Sequence, residues 1–174
     1  MAKTLSAGPF RLTGSYSYSK TTTLGGPVAN SDSYSYSVTY THGTGAGAAQ
    51  YIYADLLSIA ASGTTSLDLN AVAGTPLTDV FGDDITFAKV KLIYINLTTT
   101  TAAASITVGG NANGLINWVG AANDKIRIRN DGAFFLACKD ATGYAVTAAT
   151  GDILDITNES STLAASVIVY IVGE

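Results

Sequence analysis

The closing run Val167-Ile168-Val169-Tyr170-Ile171-Val172 constrains this chain more than any other stretch, because neither of its alternating rows carries a charge. Successive side chains of a strand point to opposite faces, and an antiparallel sheet with one wet side shows a polar residue at every second position. Here both rows are apolar, so both sides of the strand must be covered. The cover is either a second layer of the same domain plus a neighbouring subunit, or a fully internal position. Val167, Val169 and Ile171 are the candidate residues of a trimer interface.

The residues before this run are regularly punctuated. Lys125-Ile126-Arg127-Ile128-Arg129 alternates charged and apolar with period two, Asn130-Asp131-Gly132 supplies a turn, and Ala133 to Cys138 returns. Asp140 to Gly143 turns again, Tyr144 to Thr147 is a short strand, and Gly151-Asp152 leads into Ile153 to Thr157. Upstream, Tyr51 to Ala54, Leu56 to Ile59, Leu67 to Asn70, a long stretch around Lys89 to Ile95, and Ser105 to Val108 are further strand candidates. Thr75-Pro76 before Leu77 predicts one short helical turn, since Thr can cap and Pro is tolerated at the first helical position. Many short strands with Gly turns and no long amphipathic helix predict an all-β chain, an antiparallel β-sandwich. A jelly roll is the version that fits about eight strands.

Residues 1–50 differ in kind from residues 51–174, which hold the sandwich. Ser15-Tyr16-Ser17-Tyr18-Ser19 recurs as Ser33-Tyr34-Ser35-Tyr36-Ser37, followed by Thr39-Tyr40-Thr41. Alternating Tyr and Ser is strand-compatible, and Leu24 to Asp32 between the copies offers a loop, so the pair can form a hairpin. Composition equally allows an extended Tyr/Ser-rich N-terminal arm that is low in complexity, partly disordered and ordered by no partner. Tyrosine brings contact area with a hydrogen-bonding tip, which makes Tyr16, Tyr18, Tyr34, Tyr36 and Tyr40 candidate contacts to a shell or a neighbouring subunit. The run His42 to Ala49, rich in Gly, reads as a flexible linker. Its glycines lack the spacing of a dinucleotide loop, with Ala48 where the third Gly would stand.

Charge narrows the function classes. Charged residues make up only 13% of the chain, the net charge is -4, and none lies between Lys91 and Asp124. Such depletion marks the centres of protein interfaces, and a weakly acidic balance disfavours nucleic acid. The longest apolar runs are about six residues, far short of the ~20 that span a bilayer, so no membrane partner is expected and the chain reads as soluble without an export signal.

Catalytic and cofactor chemistry lacks its parts. The single His42 sits in the glycine-rich run and the single Cys138 in an apolar one, so neither a histidine triad nor a Cys-His pair is preorganised, and zinc would lack ligands. Asp79, Asp83 and Asp84 form the densest acidic group without the spacing of a calcium loop, and read as a solvated turn. The expectation is a non-enzymatic protein with no cofactor, no metal site and no catalytic residue.

Three segments carry a resemblance: Thr86 to Ile95 (TFAKVKLIYI), Gly151 to Asn158 (GDILDITN), and Val169-Tyr170-Ile171-Val172-Gly173, with Asp140 to Thr147 similar as well. Over about residues 51–173 the chain resembles small virion proteins of tailed bacteriophages. The resemblance implies a capsid cement or decoration protein, made in the host cytoplasm and placed on the capsid surface. Its partners would be itself, as a homotrimer, and the major capsid protein. A tail fibre or spike module that binds host carbohydrate, with Trp118 as a stacking candidate, is the alternative.

Overall fold

The computed structural model describes residues 4–5, 9–21, 27–71 and 75–174, and these fold as strands and turns without a helix. In chain order the strands are β1 (Phe10–Thr21), β2 (Pro27–Val38), β3 (Thr41–His42), β4 (Ala48–Ala49), β5 (Tyr51–Ile59), β6 (Thr64–Asp68), β7 (Leu77–Thr78) and β8 (Asp84–Ile85). There follow β9 (Lys89–Leu97), β10 (Ser105–Gly109), β11 (Lys125–Arg129), β12 (Ala133–Ala137), β13 (Tyr144–Ala145), β14 (Ile153–Asn158) and β15 (Ala165–Gly173).

The longer strands after the hairpin form two antiparallel sheets. One runs β12-β9-β15-β5, with β13 also on the outer edge of β9; the other runs β11-β10-β14-β6. The pairings are nested: β5 with β15, β6 with β14, β9 with β12, and β10 with β11. One cluster of buried side chains draws on both sheets. Ile93, Ile95, Leu97, Val167, Val169 and Ile171 come from the first, and Leu67, Ile106, Val108, Ile128, Leu154 and Ile156 from the second.

The all-β expectation holds, and several details change. Val167, Val169 and Ile171 are fully buried in the chain's own core, so they are not available as a trimer interface. Periodicity shows that both rows of β15 are apolar but not which row turns inward. The outward row is Ile168, Tyr170 and Val172, and Val172 is covered by Val38, Tyr40 and Ala49 from the N-terminal part of the same chain. The charge-free stretch has the same explanation over much of its length, since it contains the inward rows of β9 and β10.

No helical turn follows Thr75-Pro76. Leu77 and Thr78 instead pair with Ile85 and Asp84, closing a small hairpin. The segments expected on either side of Asp55 are one continuous edge strand, β5. Of the loop expected between the Tyr/Ser copies, residues 24–26 lie outside the described residues, and Pro27 to Asp32 belong to β2.

The register of β15 slips between Val172 and Gly173, where the strand crosses closest to Lys89. A Cβ at Gly173 would overlap the Lys89 carbonyl oxygen, which is held by the Glu174 amide, and crowd the buried Phe87 ring. Backbone cannot yield as a side-chain tip does, so Gly173→Ala should cost about 2 kcal/mol or more. Urea unfolding measures this, and an unchanged midpoint would contradict the close crossing.

Candidate functional site

The strands β1 and β2 pair from Phe10↔Val38 to Thr21↔Pro27 without a register shift. Directly opposed residues share a face. One face therefore carries Phe10, Val38, Leu12, Tyr36, Tyr34, Tyr16, Asp32, Tyr18, Asn30 and Lys20, and the other carries Arg11, Thr13 and the serines. The Tyr/Ser alternation thus sorts into an aromatic row and a hydroxyl row. Gly14 lies opposite Tyr34, and the Tyr34 ring covers the position a Cβ would take.

The aromatic row divides along its length. At the base Val38 is buried and Phe10 half-buried, both packed with Leu92 and Val172 of the first sheet, and the Tyr36 ring meets Phe135 edge-on at 6.3 Å. Farther out the tyrosines are open: Tyr16 is 54% exposed, Tyr34 67% and Tyr18 70%. Tyr40 does not belong with them. It is 2% exposed, and its hydroxyl proton is shared between the carbonyl oxygens of Cys138 at 2.8 Å and Lys91 at 2.9 Å. Burial, with the nearby Cys138, raises its pKa far above the usual phenol value. Tyr40 is an anchor, and it is withdrawn as a surface contact.

What it anchors against is a buried ion pair. The Lys91 side chain is 0% exposed, and its ammonium has an acceptor for each of its three protons: Glu174 Oε1 at 2.7 Å, Gly45 O at 2.5 Å and Asp140 O at 2.9 Å. The same Glu174 oxygen accepts from the Gly45 amide at 2.8 Å, and Lys89 approaches the second oxygen at 3.4 Å. Burial would raise the Glu174 carboxyl, but hydrogen bonds from Lys91 and Gly45, with the charges of Lys91 and Lys89, outweigh it and leave the pKa lowered. The run expected to be a flexible linker is therefore an ordered loop. Gly45 contributes both backbone groups to the ion pair, and the Gly47 amide donates to Lys139 O at 2.8 Å. Gly43, Gly45 and Gly47 all have positive φ, which explains the glycines as backbone geometry.

Reasoning from sequence missed Lys91 and Glu174. A signal was present: by period two Lys91 falls in the row of Ile93, Ile95 and Leu97, where an unpaired ammonium would be costly.

Beside the hairpin base the outer face of the first sheet stays open. A groove of about 430 Å³ runs between Phe10, Arg11 and Leu12 on one side and Tyr94, Ala133, Phe135 and Tyr170 on the other. Tyr94 and Tyr170 stack with ring centroids 6.0 Å apart. Leu56, on the edge strand, is 62% exposed.

The remaining candidates have local roles. His42 Nδ1 accepts a hydrogen bond from the Leu5 amide at 3.2 Å. Cys138 is half-buried, and burial and the nearby Asp140 push its thiol up, which favours the protonated form. Asp79 Oδ1 accepts from the amides of Phe81 and Asp83, which fixes the β7–β8 turn. Among the described residues no group of His, Cys, Asp and Glu has the arrangement of a metal site. Trp118 donates to Leu115 O at 2.6 Å and packs on Phe134 at 5.4 Å, so its ring is engaged within the chain. Comparisons with protein-family models, curated proteins and solved structures return no match.

Two variants test the anchor. Lys91→Met leaves the Glu174 carboxylate in a buried setting without its closest counter-charge and should cost about 3 kcal/mol, while the double variant with Glu174→Gln should cost less than the sum of the two singles. The Glu174 pKa lies lower folded than unfolded, so its stabilisation is complete above the ordinary carboxylate range and is lost as pH falls through the lowered folded value. Unfolding curves taken across acidic pH should decline less steeply for Glu174→Gln than for wild type; parallel declines would contradict the pairing.

Proposed function

We propose that the protein is a non-enzymatic virion component of a tailed bacteriophage. In this reading it is a capsid cement or decoration protein that assembles as a homotrimer and holds neighbouring parts of the shell together. The observation that carries the reading is the anchored hairpin, whose aromatic row is buried at its base and exposed at Tyr16, Tyr18 and Tyr34. Rigid aromatic side chains with a polar tip give large contact area at low entropic cost, which suits a surface that adheres.

The domain beneath the hairpin reads as a β-sandwich of jelly-roll type. Numbered in chain order, β5, β6, β9, β10, β11, β12, β14 and β15 give sheets ordered first-eighth-third-sixth and second-seventh-fourth-fifth, and this order supports the jelly-roll reading. The shared core between the sheets supports the same reading. A cement protein adds contact area that must be lost before capsomers separate under the pressure of packaged DNA. An arm that is already a paired and anchored ribbon has met part of its ordering cost of ~1 to 2 kcal/mol per residue before binding.

Exposed tyrosines also stack on sugars, so a tail fibre or spike module that recognises carbohydrate remains the second reading, now resting on Tyr18 and Tyr34 rather than Trp118. Densitometry of purified virions separates the two. A cement protein stains in proportion to the major capsid protein, whereas a tail module is a trace component.

A shortened hairpin tests the role of the arm. Removal of residues 15–33, with Gly14 joined to Tyr34 through a short Gly-containing turn, keeps Val38, Tyr40 and the Gly45 loop in place. The shortened protein should keep the wild-type unfolding midpoint within about 1 kcal/mol and lose binding to shells of the cognate capsid protein. Wild-type decoration of shells by this variant would contradict the reading.

A further inference from the structure

We infer that the distal tyrosine row of one hairpin lies on the open half of the outer sheet face of a second copy, so that copies join head to tail. The inference rests on the homotrimer part of the reading above and deepens it: the distal row joins copies, shell binding follows from the joined form, and an intact oligomer that fails to bind shells would leave this inference in place.

The receiving surface is defined by register. Away from the bulge at Val172/Gly173, where Lys89 and Lys91 are taken up by Glu174, the outer-row residues of β12, β9, β15 and β5, from Ala133 and Phe135 through Tyr94 and Tyr170 to Leu56, are uncharged. The part of this face around Leu92 and Val172 is already covered by Val38, Tyr40 and Phe10 of the same chain. Among the described residues nothing of this kind covers the part around Ile168, Tyr170 and Leu56, which borders the groove at the hairpin base. A sheet face devoid of charge and half covered is half of an interface.

The occupant is indicated by continuity. The hairpin row that packs on this face at its base, Phe10 and Val38, is the same row that continues outward as Tyr36, Tyr34, Tyr16 and Tyr18. The chain thus already uses one end of this row to cover one end of this sheet face. From Tyr36, the last aromatic of the row seen against the sheet, to Asn30 the strand advances roughly 20 Å, and four adjacent strands span roughly 15 Å. The distal row is therefore long enough to cross a neighbour's outer face. The open part of the sheet face is uncharged, and the hairpin row carries one charge of each sign, Asp32 opposite Tyr16 and Lys20 beyond Tyr18. The two surfaces differ, so the contact is heterologous: it closes into a ring, of which a trimer is one form, or continues as a filament.

A mixing experiment tests the inference. One variant carries Tyr18→Glu and Tyr34→Glu, which spoils the hairpin; the other carries Leu56→Glu and Tyr170→Glu, which spoils the face. Wild type should sediment as an oligomer. Each variant alone should be a monomer, with dissociation raised by about a hundredfold through burial of an unpaired charge. An equimolar mixture should form a heterodimer, because one intact hairpin then meets one intact face. A monomeric wild type, a mixture that stays monomeric, or an oligomer that survives loss of either surface would overturn the inference.

A photo-crosslinking residue at position 18 of the otherwise wild-type chain guards against misfolded variants. The inference expects intermolecular adducts on residues 51–59 or 165–173. Adducts confined to the partner's hairpin would overturn it in favour of hairpin-to-hairpin contact.

Discussion

The structure depends on a lysine ammonium held away from water. An ammonium buried without partners would cost several kcal/mol, and Lys91 avoids this because three oxygens from three separate segments surround it. Those segments are the Gly43 to Gly47 loop, the turn at Asp140 and the end of β15. A buried pair of this kind adds little net stability over apolar packing. What it supplies in this chain is position: Gly45 can satisfy both Lys91 and Glu174 only from one place. The hydroxyl of Tyr40, shared between the Lys91 and Cys138 carbonyls, fixes the adjoining segment to the same point.

From that fixed point the rest of the surface follows. Residues 38–49 lie across one end of the first sheet, and this explains how a closing strand with two apolar rows exists within one chain. One row fills the core, and part of the other is roofed by the chain's own N-terminal segment. Among the described residues the roof stops short of Tyr170 and Leu56, and the hairpin that rises from it keeps Tyr16, Tyr18 and Tyr34 exposed. The chain therefore presents an uncovered face and an unused cover of matching chemistry, and the proposals for adhesion, to a shell and to a second copy, both grow from that mismatch.

Much of the strand content was legible because period two survives wherever one face is wet. Lys125 to Arg129 and Ile153 to Thr157 alternate, and both are strands. The Tyr/Ser repeats were legible as a pairable ribbon, although their composition did not decide between a hairpin and a disordered arm. Three features were hidden for physical reasons. A strand apolar on both rows does not declare its inward row, and so Val167, Val169 and Ile171 were placed at an interface when they are core. Glycine composition reports backbone freedom in the unfolded chain, and says nothing of what a folded loop will be bonded to. Lys91 and Glu174 are far apart in sequence, and the lysine's phase with Ile93 and Ile95 was the single local hint that a counter-charge had to be found.

Amide hydrogen exchange resolved by residue tests the central claim, that the ion pair pins the glycine-rich loop to the sheet and leaves the outer hairpin free. In protein dilute enough to be monomeric, the Gly45 and Gly47 amides, which donate to Glu174 and Lys139, should exchange as slowly as the central strands β9 and β15, while those of Ser15 to Ser19 exchange far faster. Gly45 and Gly47 amides exchanging as fast as those of the outer hairpin would contradict it, and with it the positioning on which both adhesive surfaces depend.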